Sequence, residues 1–459
     1  VAHAVRRPFK PHRQRALHEA MMRKDPYQDR ARELCAAAGI DPESRVGQGR
    51  GRPAWCDYRE AARAEKVARE QAALAATTKQ NPDAPAPIVV GQHDENTVGQ
   101  MKNCMSYGNV AAGVICADGH LGYAQPVGGV IAYRDQISVS GVGFDIACGN
   151  MAVKLDTKFE QIKDSVGTIV ADIGRTISFG LGRTNDERVD HALFESDLWE
   201  RSERTDYKQR AQAQLGTVGS GNHYVDLMHD EEGHVWIGVH FGSRGLGHST
   251  ATKYLKLAGG KDGMNVPPAI LEANSDLGRA YLAGMELGGL YAYAGREWVV
   301  ERVRQIVGGS VLDSVHNHHN FAWREQHAGQ TYWVVRKGAT PAFPGQRGFV
   351  GGSMGDDAVI IEGVESPESV AMFYSTIHGA GRRFGRKEAK RRFQRTEMDD
   401  WLRTRGVVLV GADLDESPMA YRRLPDVLAE HAHTIKVQHT LNPFAVAMAG
   451  SGEFDPFKD

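Results

Sequence analysis

The stretch Gly141-Val-Gly-Phe-Asp145-Ile-Ala-Cys148-Gly-Asn150 constrains this chain more than any other segment. It sets a carboxylate and a thiol three residues apart in a glycine-rich turn, between the strand-like runs Gln136-Ile-Ser-Val-Ser140 and Met151-Ala-Val-Lys-Leu155. Small residues let the backbone approach a ligand closely. An Asp-x-x-Cys turn can aim an oxygen and a sulfur at one point, and one thiolate can bridge two metal ions. Cys148 is then the pivot of a dinuclear centre. In isolation the fragment also fits a buried free thiol beside a turn-forming aspartate, because unpaired Cys is among the most buried residue types.

The wider sequence supplies the context. At 459 residues, 41% hydrophobic and 24% charged, the composition is that of an ordinary globular protein, with length for roughly three domains of about 150 residues. No apolar run approaches the roughly 18 residues of a membrane span, and Val1-Ala-His-Ala-Val-Arg-Arg-Pro8 lacks the apolar core of a secretory signal. Cys35, Cys56, Cys104, Cys116 and Cys148 are odd in number and show no short paired spacing. That pattern argues against a disulfide framework and for a reducing compartment, so a cytoplasmic location is expected. The net charge of −2 conceals an asymmetry: residues 1–80 hold 17 Lys+Arg against 10 Asp+Glu, or +7, leaving −2 − 7 = −9 for the rest. A basic leader suits a polyanionic partner or a solvated helical arm.

Within residues 1–87 the pattern predicts helices over Arg13–Lys24, Gln28–Ala38 and Tyr58–Ala75, interrupted by the breaker-rich Gly47–Pro53. The proline-rich Thr77–Pro87 reads as a linker, so the main body is expected over 88–459. There, β-like runs recur at Gly113–Cys116, Gly129–Tyr133, Ile137–Ser140, Met151–Leu155, Val225–Met228, Val235–His240, Thr331–Arg336, Ala358–Glu362 and Val407–Val410. Helical patterns cover Phe159–Ile177 and Asp276–Val307, the second with Ser275 as its N-cap. Gly284, Gly288 and Gly289 lower helix propensity in that segment and imply close packing against a neighbour. Strands and helices intermixed without a strict βαβ rhythm predict a large mixed α/β (α+β) fold.

Histidines carry the chemistry. His223 sits in Gly219-Ser-Gly-Asn222-His223-Tyr, His240 ends the apolar run from Val235, His316, His318 and His319 cluster, and His378 opens His378-Gly-Ala-Gly-Arg382. Each alone fits a hydrogen-bonded core or surface histidine. Their shared Gly or Asn flanks, with Asp145 and Cys148, point to one common metal site. Gly351-Gly-Ser-Met-Gly355, Gly216–Gly221 and Gly379–Gly381 offer backbone N–H groups that can cradle phosphate. Arg244 and Arg382 each follow a histidine by four residues and suit bidentate phosphate contacts. The run Arg382–Arg392 adds further positive charge. Together these features favour phosphoryl or nucleotidyl transfer on a polyanion.

Nine motifs then fall in a family order: Asp118-Gly-His-Leu-Gly122, Gly143–Gly149, Gly221-Asn-His-Tyr224, His240–Gly247, His318-His-Asn-Phe321, Arg336-Lys-Gly338, Gly352-Ser-Met-Gly355, His378–Arg382 and Pro418-Met-Ala-Tyr421. In these motifs the chain resembles the RtcB family of RNA-splicing ligases over roughly residues 90–450. The resemblance implies one catalytic domain using GTP and two Mn²⁺ ions to join an RNA 3′-phosphate or 2′,3′-cyclic phosphate to a 5′-hydroxyl. By ligand softness alone, a thiolate with imidazoles suits Zn²⁺ equally.

Carried over residue by residue, the resemblance implies that Cys148 bridges the metals. Asp145 and His223 would complete one site, His240 and His319 the other. His378 would take GMP. Asn222, His319, Asn320, Gly351, Gly352, Ser353, Met354, Gly379, Ala380 and Gly381 would contact the nucleotide, and Arg244 and Arg382 would bind RNA phosphate, Arg382 also serving catalysis. RNA is the implied partner, an archease-like helper belongs to the same picture, and a monomer or weak homodimer is expected. An end-processing or capping enzyme that does not complete ligation, or an RNA-binding paralogue, remains the alternative. The chain departs from the family in three ways: Ala449 replaces a terminal lysine and is followed by the tail Ser451–Asp459, Ala358 replaces a serine, and the basic 1–87 leader lies outside the common core.

Overall fold

The run after Cys148 extends as a strand, Gly149–Lys158, beyond the Met151–Leu155 that pattern alone marks. The computed structural model describes residues 27–47, 52–66, 68, 80–185 and 188–450. It resolves into two units, Val1–Ala73 and Leu74–Asp459. In the first, helix Gln28–Ala37 precedes a short antiparallel pairing of Arg45–Val46 with Arg52–Pro53 and the 3₁₀ turn Ala54–Tyr58. The helix expected from Tyr58 begins after that turn and runs through residue 66. The helix expected at Arg13–Lys24 lies outside the described residues.

The second unit is built on two sheets. The eight-stranded sheet runs in the order Val311–His318, Gly149–Lys158, His234–Phe241, Tyr224–His229, Ile435–Met448, Ala358–Gly363, Arg347–Val350, with Val408–Val410 added in parallel to Ile435–Met448. Period-two geometry sorts its side chains. Val235, Ile237, Val239 and Phe241 enter one apolar cluster, while Trp236 enters another with Ala152, Met228, Phe349 and Ile360. With both faces covered, the strand reads as an unbroken apolar run. The five-stranded sheet runs Asn320–His327, Gln330–Lys337, Val127–Tyr133, Val110–His120, Ile88–Val89.

The helix Asp276–Val307 has the predicted bounds, and Ser275 accepts a hydrogen bond from the Gly278 amide as its N-cap. Over 32 residues it spans about 48 Å. Tyr281, Met285 and Ala292 pack into one core cluster, and Val299, Val300 and Val303 into the cluster beneath the large sheet. Each buried valine contributes roughly 1.5–3 kcal/mol. The helix glycines are close-approach sites, as expected. A Cβ on Gly284 would stand 2.8 Å from Thr250, and one on Gly288 3.1 Å from Ile146, inside the Asp145–Cys148 turn.

Two local expectations change. The strand read as Gln136–Ser140 ends at Ser138, whose hydroxyl caps the short helix Val139–Val142, because a serine oxygen facing the Gly141 amide competes with strand pairing. The Phe159–Ile177 pattern breaks into Phe159–Ile162, a 3₁₀ turn at Lys163–Ser165 and helix Val166–Thr176.

Candidate active site

Strand register brings the site together. One row across the end of the large sheet reads Asn317, Asn150, His240, Tyr224, Met448, each paired with the next. The last three face a cleft of about 260 Å³, and the adjacent row adds Asp226 and Val446. Asn222 and His223 immediately precede Tyr224.

The Asp145–Cys148 turn is fixed by hydrogen bonds rather than by strand pairing. The Cys148 amide donates to Asp145 O at 3.1 Å, and Ala147 adopts φ 59. The Cys148 carbonyl accepts from the His319 and Asn320 amides at 2.8 and 3.2 Å, and Asn320 O accepts from the Ala147 amide at 2.7 Å. His319 lies where the chain leaves the large sheet at His318 and enters the five-stranded sheet at Asn320. A Cβ on Gly242 would collide with the Asp145 carboxylate, so glycine is needed there.

Around Cys148 the donors converge. Its Sγ is 3.2 Å from His240 Nε2 and 3.6 Å from His223 Nε2, and His223 Nε2 is 2.9 Å from Asp145 Oδ2. The ligand atoms of Cys148, His223 and His240 all lie within 4.8 Å of one another. The His319 ring centre is 5.0 Å from that of His240 and 4.9 Å from that of His378. Burial holds His240 and His319 neutral, well below the usual histidine range. Burial alone would raise the Asp145 carboxyl, but His223 and then Arg244 hold it low. Burial and Asp145 push the Cys148 thiol up, so a thiolate here requires a cation. His319 Nδ1 is buried without a hydrogen-bond partner. Neutral imidazoles, an ionised carboxylate, a thiol and an orphaned ring nitrogen form a donor set that fits metal ions.

His378 is held by a residue to which sequence reasoning gave no role. Asp118, fully buried, accepts from His378 Nδ1 at 2.6 Å and from the backbone amides of His378 and Gly379 at 2.9 and 3.3 Å. This commits Nδ1 to Asp118 and leaves Nε2 as the ring nitrogen outside that bond. A carboxylate in a glycine motif, Asp118-Gly-His, was the available signal. A backbone bridge between Gly351 and Gly379 aligns the two glycine loops, and Asn222, Asn320, Gly351, Gly352, Ser353, Met354, Gly379, Ala380 and Gly381 all line the cleft.

Other lining residues were not singled out from sequence. Lys337 donates to Tyr123 O at 2.5 Å, and burial lowers it to about 8. Burial pushes the Asp226 carboxyl well above the usual carboxylate range, and its Oδ1 is unpartnered. Arg386 reaches Glu416 at 3.3 Å. Arg382 is on the wall, its guanidinium shared among Glu416, Tyr421 and the carbonyls of Phe384 and Asp415. Arg244 is not on the lining: it stands behind His223, 3.0 Å from Nδ1. His316 and His318 also turn away, both accepting from Arg296. Met448 lines the cleft, whereas Ala449 is buried and its carbonyl accepts from Ala412. Ala358 is buried in the core.

All five cysteines are free, and no described helix is long and apolar enough to cross a membrane. Among known proteins, the chain is 30% identical over 367 residues to the RNA-splicing ligase RtcB of Escherichia coli (strain K12), covering 71% of this chain and 87% of that protein. It is 31% identical over 398 residues to the tRNA-splicing ligase RtcB of Thermococcus kodakarensis, covering 69% and 82%. The tRNA-splicing ligase RtcB of Archaeoglobus fulgidus is 30% identical over 421 residues, covering 73% and 87%. The family model described as tRNA-splicing ligase RtcB matches residues 100–449, most of the second unit and every cleft residue described above, and the chain belongs to that family.

Proposed function

We propose that this chain is a GTP-dependent RNA ligase that joins RNA 3′-phosphate or 2′,3′-cyclic phosphate ends to 5′-hydroxyl ends through a guanylylated His378. Two Mn²⁺ ions would be held by Asp145, Cys148, His223, His240 and His319. The carrying observation is the pair His378–Asp118 set against His319: Asp118 holds Nδ1 at 2.6 Å, and the His378 ring is 4.9 Å from that of His319. Support comes from the relatives, which are named RNA- or tRNA-splicing ligases.

Bound metal would supply Lewis-acid polarisation of phosphate oxygens. The chain's own groups do the rest. His378 Nε2 attacks the α-phosphorus of GTP as pyrophosphate leaves, while Asp118 accepts from Nδ1 and stabilises the charge that develops on the ring. The N–H groups of Gly351–Met354 and Gly379–Gly381, with Asn222 and Asn320, hold the nucleotide. GMP then passes from His378 to the RNA 3′-phosphate and is displaced by the 5′-hydroxyl. Arg382 stands on the wall beside the RNA phosphate path, held by Glu416 and Tyr421, and Arg244 packs behind His223, whose Nδ1–H donates to Val218 O. Because Cys148 must stay reduced and outside any disulfide to serve as a ligand, a reducing cytoplasm is the fitting compartment.

The test is incubation with α-labelled GTP, Mn²⁺ and RNA carrying 3′-phosphate and 5′-hydroxyl ends. An acid-labile, alkali-stable adduct on His378 and joined RNA are expected. Label that persists in His378→Ala refutes the assignment. Ala449, where the family carries lysine, favours one second reading: an adduct whose GMP passes to the RNA end without yielding joined RNA supports a capping enzyme.

A further inference from the structure

The basic run Arg382–Arg392 contains seven Lys and Arg residues against one acid, Glu388. Four of the cations are engaged: Arg382 and Arg386 with Glu416, Lys390 with Asp413 and Arg392 with Glu388. Arg383, Lys387 and Arg391 are exposed and make no ion pair with any described residue. They recur at intervals of four residues, and Lys387 and Arg391 share one face of the helix Arg386–Arg392. Like charges at that spacing repel and weaken the helix that carries them.

The next helix, Arg395–Thr404, shows what a merely solvated charged face looks like. It pairs Arg395 with Asp399 and Arg403 with Asp400. The preceding helix leaves its row unneutralised, and Arg383 adds to the cationic field around the neighbouring Arg422. The row also adjoins the cleft, because Arg386, next to Lys387 in the chain, is part of the lining.

We infer that Arg383, Lys387 and Arg391 form a docking track for the sugar-phosphate backbone of the RNA strand whose end enters the cleft. This rests on the RNA-ligase reading. Point-charge contacts to phosphates position a strand without reading its sequence. Side chains one helical turn apart offer successive contacts along a flexible single strand.

The experiment is fluorescence anisotropy of a labelled single-stranded RNA bearing a 3′-phosphate, titrated with the full chain over a range of NaCl concentrations. For single strands, the slope of log K against log salt is about −0.7 per phosphate contact. The triple variant Arg383→Gln, Lys387→Gln, Arg391→Gln should therefore lose about 2 from the slope's magnitude and weaken binding equally for unrelated sequences. GMP transfer to His378 should be unchanged, which also shows that the variant is folded. The control Arg395→Gln, Arg403→Gln removes paired cations and should leave the slope nearly intact. An unchanged slope in the triple variant, with RNA binding and GMP transfer present in the unaltered chain, overturns the track alone, even if binding of an acidic polypeptide falls. Absence of RNA binding and of GMP transfer in the unaltered chain overturns the ligase reading with it.

Discussion

Replacing Arg296 by methionine probes how the long helix holds the metal-ligand loops. Arg296 is fully buried and projects from the helix into the space beneath Cys148 and His240. Its Nη1 donates to Ala147 O at 3.1 Å and Phe241 O at 2.6 Å, each one residue from a ligand; Nη2 donates to His318 Nδ1 at 2.9 Å and Nε to His316 at 2.8 Å. Burial lowers its pKa to about 10, which still leaves it charged at neutral pH. Methionine fills the stem volume but abandons three buried acceptors, the two carbonyls and His318 Nδ1. An unsatisfied buried group costs roughly 1–3 kcal/mol, and relief of the buried charge offsets part of the sum. The net loss should be about 3–5 kcal/mol, read as a lower urea midpoint at unchanged m-value. Metal content should fall as well, because the carbonyls that place Cys148 and His240 are released. Arg296→Lys should recover only part of the stability, since one ammonium cannot span acceptors on two loops and two histidines. A loss below about 1 kcal/mol for Arg296→Met, with metal content intact, would refute this account.

Cys148→Ala should lose both metals together and His319→Ala mainly one; two ions per chain retained in Cys148→Ala, by elemental counting, ends the bridging role. Asp118→Asn keeps the shape but trades a charge-assisted hydrogen bond for a neutral one, so GMP transfer should slow by roughly tenfold or more at unchanged fold; equal rates would show that Asp118 does not position His378. Lys337, lowered by burial to about 8 from its ordinary 10.5, binds fewer protons folded than unfolded between those values. Its contribution therefore makes stability rise with pH across that window and is flat below it. Denaturation midpoints of Lys337→Met should lack that rise, and an unaltered profile counts against the assignment. Ala449→Lys, in a chain ending at Gly450, should tighten GTP use by about ten- to a hundredfold if a charged hydrogen bond of roughly 1.5–3 kcal/mol is restored; no change in nucleotide competition places residue 449 away from the nucleotide.

What the sequence determined by itself is whatever depends on neighbours along the chain. The apolar run at Val235–His240 and the glycine-rich turn at Asp145–Cys148 are readable because periodicity and turn chemistry are local. Ser275 and the bounds of Asp276–Val307 are legible for the same reason, an N-cap followed by a continuous helical pattern. The family motifs named Cys148, His223, His240, His319 and His378 for one site; Cys148, His240, His319 and His378 line the cleft, and His223 stands beside Cys148. The ending of the strand at Ser138 was missed because one hydroxyl, aimed at an amide three residues on, outweighs the apolar alternation around it. Only the tertiary structure decided the supports. Asp118 reaches His378 across 260 residues of sequence because two strand ends meet there. Arg296 falls on the apolar stripe with Ala292, Val299 and Val300, and its role is visible only once the helix is laid against Ala147 and Phe241. Arg244 and Arg382 share a spacing of four residues after a histidine, yet one stands behind His223 and the other faces the cleft. Spacing fixes which residues are near one another along the backbone; sheet register and the crossing from one sheet to the other fix where they point.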